Sequence, residues 1–116
     1  GLEIMREGGA IVGLGSISAF HGSFGQANYA AAKAGVHALM RVVSREVAKR
    51  GIRANAIAPG VVDTAMVATI PETVRAEMVK NIPLGRLGTP SEVANVALFL
   101  CSPAADNMRG VSLNVA

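Results

Sequence analysis

The chain has few of the residue types on which several classes of protein depend. Its single cysteine, Cys101, excludes an internal disulfide and any metal site built from several cysteines. Tryptophan is absent and aromatic residues make up 3% of the sequence, so the core must be built from aliphatic side chains and methionine. The two histidines, His21 and His37, have no further metal-ligating residue at ligand spacing, so no metal is expected.

Charge is also scarce. Charged residues account for 16% of the chain and leave a net charge of +3, scattered and without interleaved aromatics, so no nucleic-acid partner is expected. The longest apolar run, residues 93–101, is interrupted by Asn95 and is too short to cross a bilayer, so no membrane partner is expected. The N-terminal residues show no signal-peptide pattern, and Cys101 is typical of a small core residue in a reducing compartment, so we expect a cytoplasmic protein.

What is present is a set of short apolar segments separated by helical patterns. Apolar residues predict strands near residues 10–15, 52–58 and 111–115. A stripe that includes Leu39 and Met40 predicts a helix over residues 28–50, ended by Gly51. A second helix is predicted over residues 71–81, and a loop over residues 17–28.

A third helix begins at a capping box. Thr89 stands at the N-cap, Pro90 at the first helical position and Glu92 at the third. The resulting order is strand, helix, strand, helices, strand, which predicts crossover connections and a parallel sheet. Three short parallel strands leave an edge or a face uncovered, so the chain is expected to form part of an α/β domain.

Tyr29 and Lys33 point most directly to chemistry. They stand four residues apart at the start of the first long helix, and Ser16 lies thirteen residues before Tyr29 at a strand end. An ammonium beside a phenol favours the phenolate, so such a tyrosine can donate or accept a proton. The pair also occurs by chance on surface helices, but the serine, the small residues of the helix and the following Pro59-Gly60 favour a site at the strand ends.

The chain resembles the C-terminal half of the short-chain dehydrogenases/reductases over essentially its whole length. The matching segments are Gly15-Ser16, GQANYAAAKAGV (25–36), IRANAIAPG (52–60), VVDTAM (61–66), IPLGRLGTPSEVANVALFL (82–100) and GVSLNV (110–115). Within the family, GQANYAAAKAG and PLGR are most similar to the 3-oxoacyl-[acyl-carrier-protein] reductases. The resemblance implies a Rossmann-type, doubly wound parallel sheet, of which residues 1–116 form the C-terminal part.

The resemblance implies roles for three catalytic residues. Tyr29 is the general acid in ketone reduction and the base in alcohol oxidation. Lys33 favours the phenolate of Tyr29 and binds the ribose of the nicotinamide cofactor. Ser16 orients the carbonyl of the substrate.

The resemblance also implies binding residues. Gln26 is expected to shape the substrate pocket, and Val62 and Thr64 to contact the nicotinamide carboxamide. The residues that match the cofactor-binding segment are Pro59, Gly60, Val62 and Thr64, together with Tyr29 and Lys33.

Several parts of the family pattern are absent from the chain. It contains neither the glycine-rich TGxxxGxG loop, nor the NNAG segment, nor the catalytic Asn of the preceding helix, and all three are expected to lie before Gly1. Residues 1–116 are therefore expected to be the C-terminal part of one domain whose dinucleotide-binding half is not included. Because that half selects the cofactor, NADP(H) and NAD(H) both remain open, with NADPH favoured by the resemblance.

The implied activity is the interconversion of a ketone and a secondary alcohol, best matched by 3-oxoacyl-[acyl-carrier-protein] reduction in fatty acid synthesis. The alternatives are another alcohol or sugar-alcohol dehydrogenase of the family and a non-catalytic scaffold. The substrate is expected to be a small or carrier-bound carbonyl compound, and the assembly a homotetramer.

Some residues outside these motifs carry weaker expectations. His21 is expected in the loop over the site, whereas His37 is expected on the helix surface. Arg50 and Arg53 are expected at a solvated helix end, with docking of an acidic carrier protein by Arg50 as the alternative.

Overall fold

The three apolar segments form one parallel sheet. The computed structural model describes residues 1–116 and contains strands β1 (Ala10–Leu14), β2 (Arg53–Pro59) and β3 (Ser112–Val115). They lie in the order β1–β2–β3, with Ala10 beside Arg53 and Ala56 beside Ser112. The predicted α/β class and parallel sheet are confirmed.

Five helices connect or flank these strands. They are α1 (Ser18–His21), α2 (Ala27–Glu46), α3 (Ala65–Ala68), α4 (Glu72–Lys80) and α5 (Pro90–Cys101). The prediction of a continuous loop over residues 17–28 is wrong, because α1 occupies part of it. The first long helix is shorter than predicted and is followed by a 3₁₀ turn over Ala48–Arg50, which Gly51 ends at a φ of 69°. Only Gly and a few polar residues adopt this left-handed conformation readily.

The sheet has a helix packed on each face. On one face Met40 of α2 packs against Ala54 and Ala56 of β2. On the other face Leu100 of α5 packs against Ile57. Alternate residues of a strand point to opposite faces, so β2 supplies both cores and its residues 53–58 are all buried. This is a doubly wound arrangement.

Glycine in β1 lets α2 approach the sheet. A Cβ on Gly13 would lie 2.8 Å from Val36 Cγ1 and 3.0 Å from Met40 Cγ, closer than side chains normally pack. Leu39, by contrast, is 54% exposed and lies outside the stripe that touches the sheet, contrary to the expectation from spacing alone. Close packing therefore uses a narrower stripe of α2 than its apolar residues indicate.

Arginine side chains near the end of α2 are not solvated as expected. Arg53 is 4% exposed and donates hydrogen bonds to the carbonyls of Leu100 and Ser102 at the end of α5 and of Ala105 in the 3₁₀ turn that follows. Arg50 donates to two carbonyls of the N-terminal turn and to the carboxylate of Glu7. Both guanidinium groups satisfy backbone acceptors within the chain, which argues against Arg50 as a docking residue.

Helix α5 begins at the predicted capping box. The Glu92 N–H donates to Thr89 Oγ1 at 3.2 Å, and the Thr89 N–H donates to Glu92 Oε1 at 2.9 Å. Arg86 adds two hydrogen bonds to the same carboxylate, and this guanidinium holds the pKa of Glu92 at about 2. Cys101, in the last turn of α5, is exposed rather than in the core. None of the helices combines the length and apolar character that a membrane crossing requires.

Candidate active site

Ser16 lies at the carboxyl end of the sheet, two residues after the end of β1. Its side chain is nearly buried, since the residue is 7% exposed. The Ser18 N–H donates to Ser16 Oγ at 3.2 Å, as is usual where a serine precedes a helical turn. The hydroxyl proton has no protein acceptor among the hydrogen bonds of the chain, so Ser16 retains a donor for a ligand.

Tyr29 and Lys33 lie in the first two turns of α2. The ammonium nitrogen of Lys33 lies 5.8 Å from the centre of the Tyr29 ring. It also donates to the Leu14 carbonyl at 3.1 Å, which ties the helix to the end of β1. Because an ammonium has three donors, this bond leaves Lys33 able to bind a second acceptor. Tyr29 is 43% exposed and open to the cleft described next.

Ser16 and Tyr29 line the same cleft. It has a volume of about 260 Å³ and lies where β1 and β2 end. Its lining residues are Ser16, Ile17, Ser18, His21, Ser23, Tyr29, Gly60 and Val61. A phenol and a serine hydroxyl thus meet in one concave site at the carboxyl end of a parallel sheet, where open α/β folds bind ligands.

A larger cleft of about 670 Å³ adjoins the first. Ile17, His21, Gly60 and Val61 line both. Its other walls come from the end of α4, the segment that follows, the first turn of α5 and the end of β3. The residues are Met78, Asn81, Ile82, Pro83, Leu84, Arg86, Gly88, Glu92, Asn114, Val115 and Ala116. His21 therefore lies over the site as expected. Residues 82–88 were noted only as a segment typical of the family, and nothing in the sequence indicated that residues 78–88 wall a cleft.

The predicted cofactor residues occupy different positions around the clefts. The Pro59 carbonyl accepts the Ile17 N–H at 3.1 Å and thereby joins the two strand ends. Gly60 lines both clefts, and a Cβ there would lie 2.9 Å from that of Ala116. Val62 forms a bridge with Gly88.

Thr64 and Gln26 each precede a helix and line neither cleft. Thr64 Oγ1 accepts the Val67 N–H at 3.5 Å as the N-cap of α3. Gln26 precedes α2, is exposed, and its side chain makes no capping hydrogen bond. The structure therefore brings Ser16, Tyr29 and Gly60 together directly.

His37 is a buried part of the site's support, although the sequence indicated a surface position. It is 1% exposed, and the Ser16 N–H donates to its Nε2 at 3.3 Å. Its Nδ1 lies 2.8 Å from Ser112 Oγ on β3. The only available signal was Gly15, whose missing side chain makes room for the ring: a Cβ there would lie 2.0 Å from Nε2.

The sequence matches known proteins along the whole chain. A family model described as enoyl-(acyl carrier protein) reductase matches residues 1–116. The 3-oxoacyl-[acyl-carrier-protein] reductase FabG of Chlamydia pneumoniae is 47% identical over 112 residues, which are 97% of this chain and 45% of that protein. Acetoacetyl-CoA reductase of Synechocystis is 47% identical over 102 residues, 88% of this chain and 42% of that protein.

The fold has a solved counterpart. A Brucella melitensis crystal structure described as short-chain dehydrogenase/reductase SDR:glucose/ribitol dehydrogenase has a TM-score of 0.91 and 38% identity, and the match covers 98% of this chain and 46% of that one. The fold is thus that of a Rossmann-type oxidoreductase. The chain belongs to the short-chain dehydrogenase/reductase family. It spans a little under half the length of the relatives it matches.

Proposed function

We propose that this chain carries the catalytic part of an NAD(P)-dependent reductase that interconverts a ketone and a secondary alcohol. The observation that carries the proposal is the meeting of Ser16 and Tyr29 in one cleft, with the Lys33 ammonium 5.8 Å from the Tyr29 ring. A bound nicotinamide cofactor supplies the hydride in reduction and accepts it in oxidation. The residues of this chain then have to position the carbonyl and move one proton.

Proton transfer is the role proposed for Tyr29. Its hydroxyl donates a proton to the carbonyl oxygen during reduction and takes it back during oxidation. Ser16 donates a hydrogen bond to the same oxygen, for which its hydroxyl proton is available. Lys33, held by the Leu14 carbonyl, places its positive charge near the Tyr29 ring and uses its remaining donors on the cofactor ribose.

The residues at the end of β2 suit the flat nicotinamide ring of the cofactor, which would lie beside this cleft. Gly60 and Val61 line the same cleft as Tyr29 and Ser16, and Gly60 adds no side chain there. We assign the nicotinamide end to Pro59, Gly60, Val62 and Thr64. Gln26 is assigned to the substrate side.

We also propose that residues 1–116 form the C-terminal part of a single domain whose dinucleotide-binding half precedes them. Strand β1 pairs only with β2, so its outer edge has no strand partner. Leu14, the last residue of β1, is 54% exposed. An upstream strand would satisfy that edge and cover Leu14. NADPH is the favoured cofactor, and the cytoplasm the proposed location.

The favoured reaction is reduction of a 3-oxoacyl-[acyl-carrier-protein], supported by the identity to the Chlamydia reductase. The Brucella structure, described as a glucose/ribitol dehydrogenase, favours a sugar alcohol as the second candidate. Initial rates with a 3-oxoacyl thioester and NADPH, compared with ribitol and NAD⁺, distinguish the two. Activity with the polyol alone would overturn the first assignment.

A homotetramer is the proposed assembly. Leu39 and Val42 on α2 are 54% and 53% exposed, and Leu98 and Phe99 on α5 are 71% and 39% exposed. Two apolar helix faces of this kind fit a second and a third copy of the chain. Sedimentation of the full-length protein at micromolar concentration tests this, and a monomer would contradict it.

The test of the catalytic assignment is Tyr29→Phe in the full-length protein. This change removes only the hydroxyl, so fold and cofactor binding should persist while turnover falls by about 10²-fold or more. Ser16→Ala should also lower turnover with little change in cofactor affinity. Steady-state kinetics with a 3-oxoacyl thioester and cofactor titration by fluorescence measure both quantities. Near-normal turnover of Tyr29→Phe would exclude Tyr29 as the proton donor.

A further inference from the structure

The imidazole of His37 joins three elements around the candidate site. It contacts the Ser16 N–H after β1, the Ser112 hydroxyl of β3, and the ring of Phe20 in α1, whose centroid lies 4.8 Å away. The residue is 1% exposed and does not line the catalytic cleft. His37 therefore acts on the site only through the groups it holds.

The hydrogen-bond partners define the protonation of the ring. A backbone N–H can only donate, so Nε2 accepts from Ser16 and carries no proton. The proton of the neutral ring is then on Nδ1, which donates to Ser112 Oγ. The contacts require the neutral imidazole.

The Ser16 N–H has no other partner. On either side of it, the N–H groups of Gly15 and Ile17 donate to carbonyls of β2 at 2.8 and 3.1 Å. Ser16 lies outside this ladder, and His37 accepts its N–H instead. One turn earlier on α2, Lys33 binds the Leu14 carbonyl. Two side chains on one face of α2, Lys33 and His37, thus bind backbone groups at the end of β1. These groups are the Leu14 carbonyl and the N–H of Ser16, the serine assigned to the substrate.

We propose that His37 is a positioning residue for Ser16: its neutral imidazole accepts the Ser16 N–H and thereby sets where the Ser16 hydroxyl meets the substrate carbonyl. The proposal rests on the proposed function in the role it gives to Ser16. Small errors in the position of such a group are costly, because a displacement of about 1 Å can reduce turnover by about 10²-fold.

The proposal implies a pH dependence. A proton on Nε2 would face the Ser16 N–H donor and break the contact. Burial, with the positive charges of Arg41 and Lys33 on the same helix, lowers the pKa of His37 from its ordinary value, so the ring stays neutral at pH 7. Turnover should therefore decline at a pH below the ordinary pKa of histidine.

The other elements packed around His37 contribute few ionisable groups. Strands β1 and β3 have none, and α1 contributes only His21, which lines the cleft. Arg53 of β2 is bound to the carbonyls at the end of α5. His21 is therefore the other histidine at the site, and its contribution must be separated from that of His37.

Two substitutions of His37 separate its contacts. The amide of His37→Gln reaches the position of Nε2 and can accept the Ser16 N–H, whereas the shorter His37→Asn reaches only the position of Nδ1. In the full-length protein we expect kcat to fall by about 10-fold or more for His37→Asn. His37→Gln should restore most of kcat and lose the decline at acid pH, while KM changes little in either variant. The acid decline should persist in His21→Gln.

Two controls make the result independent of stability. Met40→Leu alters a neighbouring buried residue that packs on Ala54 and Ala56, so it should leave kcat unchanged at a similar melting temperature. If His37→Asn does not fold, nitrogen NMR of the wild-type imidazole at pH 7 remains: the proposal requires a bare Nε2 and a protonated Nδ1.

The outcomes distinguish this proposal from the function on which it rests. Equal kcat for His37→Asn, His37→Gln and wild type would overturn the positioning role, as would a protonated Nε2 at pH 7. An active Tyr29→Phe, with the NMR tautomer as stated, would instead overturn the catalytic assignment and leave the contacts of His37 intact.

Discussion

The two walls of the candidate site are held in different ways. The catalytic wall, formed by the ends of β1 and β2 and the start of α2, is tied together across long stretches of sequence: Lys33 to Leu14, Ser16 to His37, and His37 to Ser112. The covering segment, residues 61–88, contains no buried residue. Its backbone hydrogen bonds outside the helices join residues of the segment to one another. The only side-chain hydrogen bonds that leave the segment are those from Arg86 to Glu92. The proposed catalytic groups are thus fixed by contacts between distant segments of the chain, while the cover depends on contacts within its own segment, such as the bridge between Val62 and Gly88.

This difference separates chemistry from access. Groups that move protons need fixed positions, whereas a cover over a binding cleft has to open and close. Segments with few long-range contacts open locally at low cost. We expect the covering segment to move while the catalytic wall stays fixed.

Hydrogen exchange tests the comparison most directly and should show the largest effect. Amides of β2, which is buried from Arg53 to Ala58, should exchange only on global unfolding, and amides of α3 and α4 through local opening close to zero cost. Exchange of the full-length protein followed by mass spectrometry measures both. Equal protection in the two regions would refute the distinction.

Lys33→Met should break the catalytic wall without affecting the cover. The variant loses the bond to the Leu14 carbonyl and the charge near Tyr29, so turnover should fall by roughly 10²-fold and cofactor binding should weaken. Lys80→Met is the matched control, because Lys80 pairs only with Glu77 on exposed α4 and should have no effect on turnover. Kinetics measure turnover, and fluorescence titration measures cofactor affinity. Unchanged cofactor affinity in Lys33→Met would show that Lys33 does not bind the cofactor.

Gly15→Ala should destabilise the catalytic wall by overpacking. The added Cβ would lie 2.0 Å from His37 Nε2, so the ring must move, at a cost of about 1–3 kcal/mol in the free energy of unfolding. Gly35→Ala is the control: a Cβ there meets no atom within 4 Å, and alanine favours the helix by about 0.5–1 kcal/mol. Urea unfolding measures both changes. A neutral Gly15→Ala would mean that the ring is not held as described.

Thr89→Ala should have the smallest effect and acts where the covering segment joins α5. The change removes the acceptor for the Glu92 N–H and should reduce the free energy of unfolding by about 1 kcal/mol. Thr89→Ser keeps the hydroxyl and serves as the control. Because the cap lies outside the catalytic wall, kcat should not change. A kcat loss comparable to that of Lys33→Met would show that the two regions are coupled.

Local patterns in the sequence predicted much of the fold. The start of α5 was predicted correctly because its capping box lies within a few consecutive residues. Strand positions followed from short apolar runs, and the family was evident from motifs around Tyr29 and Lys33. Helix α1 was missed because its single turn, Ser18–His21, has no periodic apolar pattern.

Burial was the feature that local patterns predicted least well. Leu39 and Cys101 were expected in the core but lie exposed, and His37 was expected at the surface but is buried. Residue type indicates hydrophobicity, but it does not indicate which part of a helix reaches the sheet. Which residues of α2 are buried depends on how closely the helix approaches the sheet. Gly13 in β1 and Gly15 just after it determine how close that approach is.

The sequence by itself determined the parallel α/β fold, the family and the proximity of Tyr29 to Lys33, because each follows from patterns of residues that lie close together within single segments or from the order of those segments. The tertiary structure alone decided the shape and lining of the cleft that Ser16 and Tyr29 share, that residues 78–88 wall the larger one, and that His37 holds the Ser16 N–H. The bond from His37 to Ser112 joins residues 75 positions apart. Such contacts exist only when the strands and helices pack together, and no local pattern specifies them.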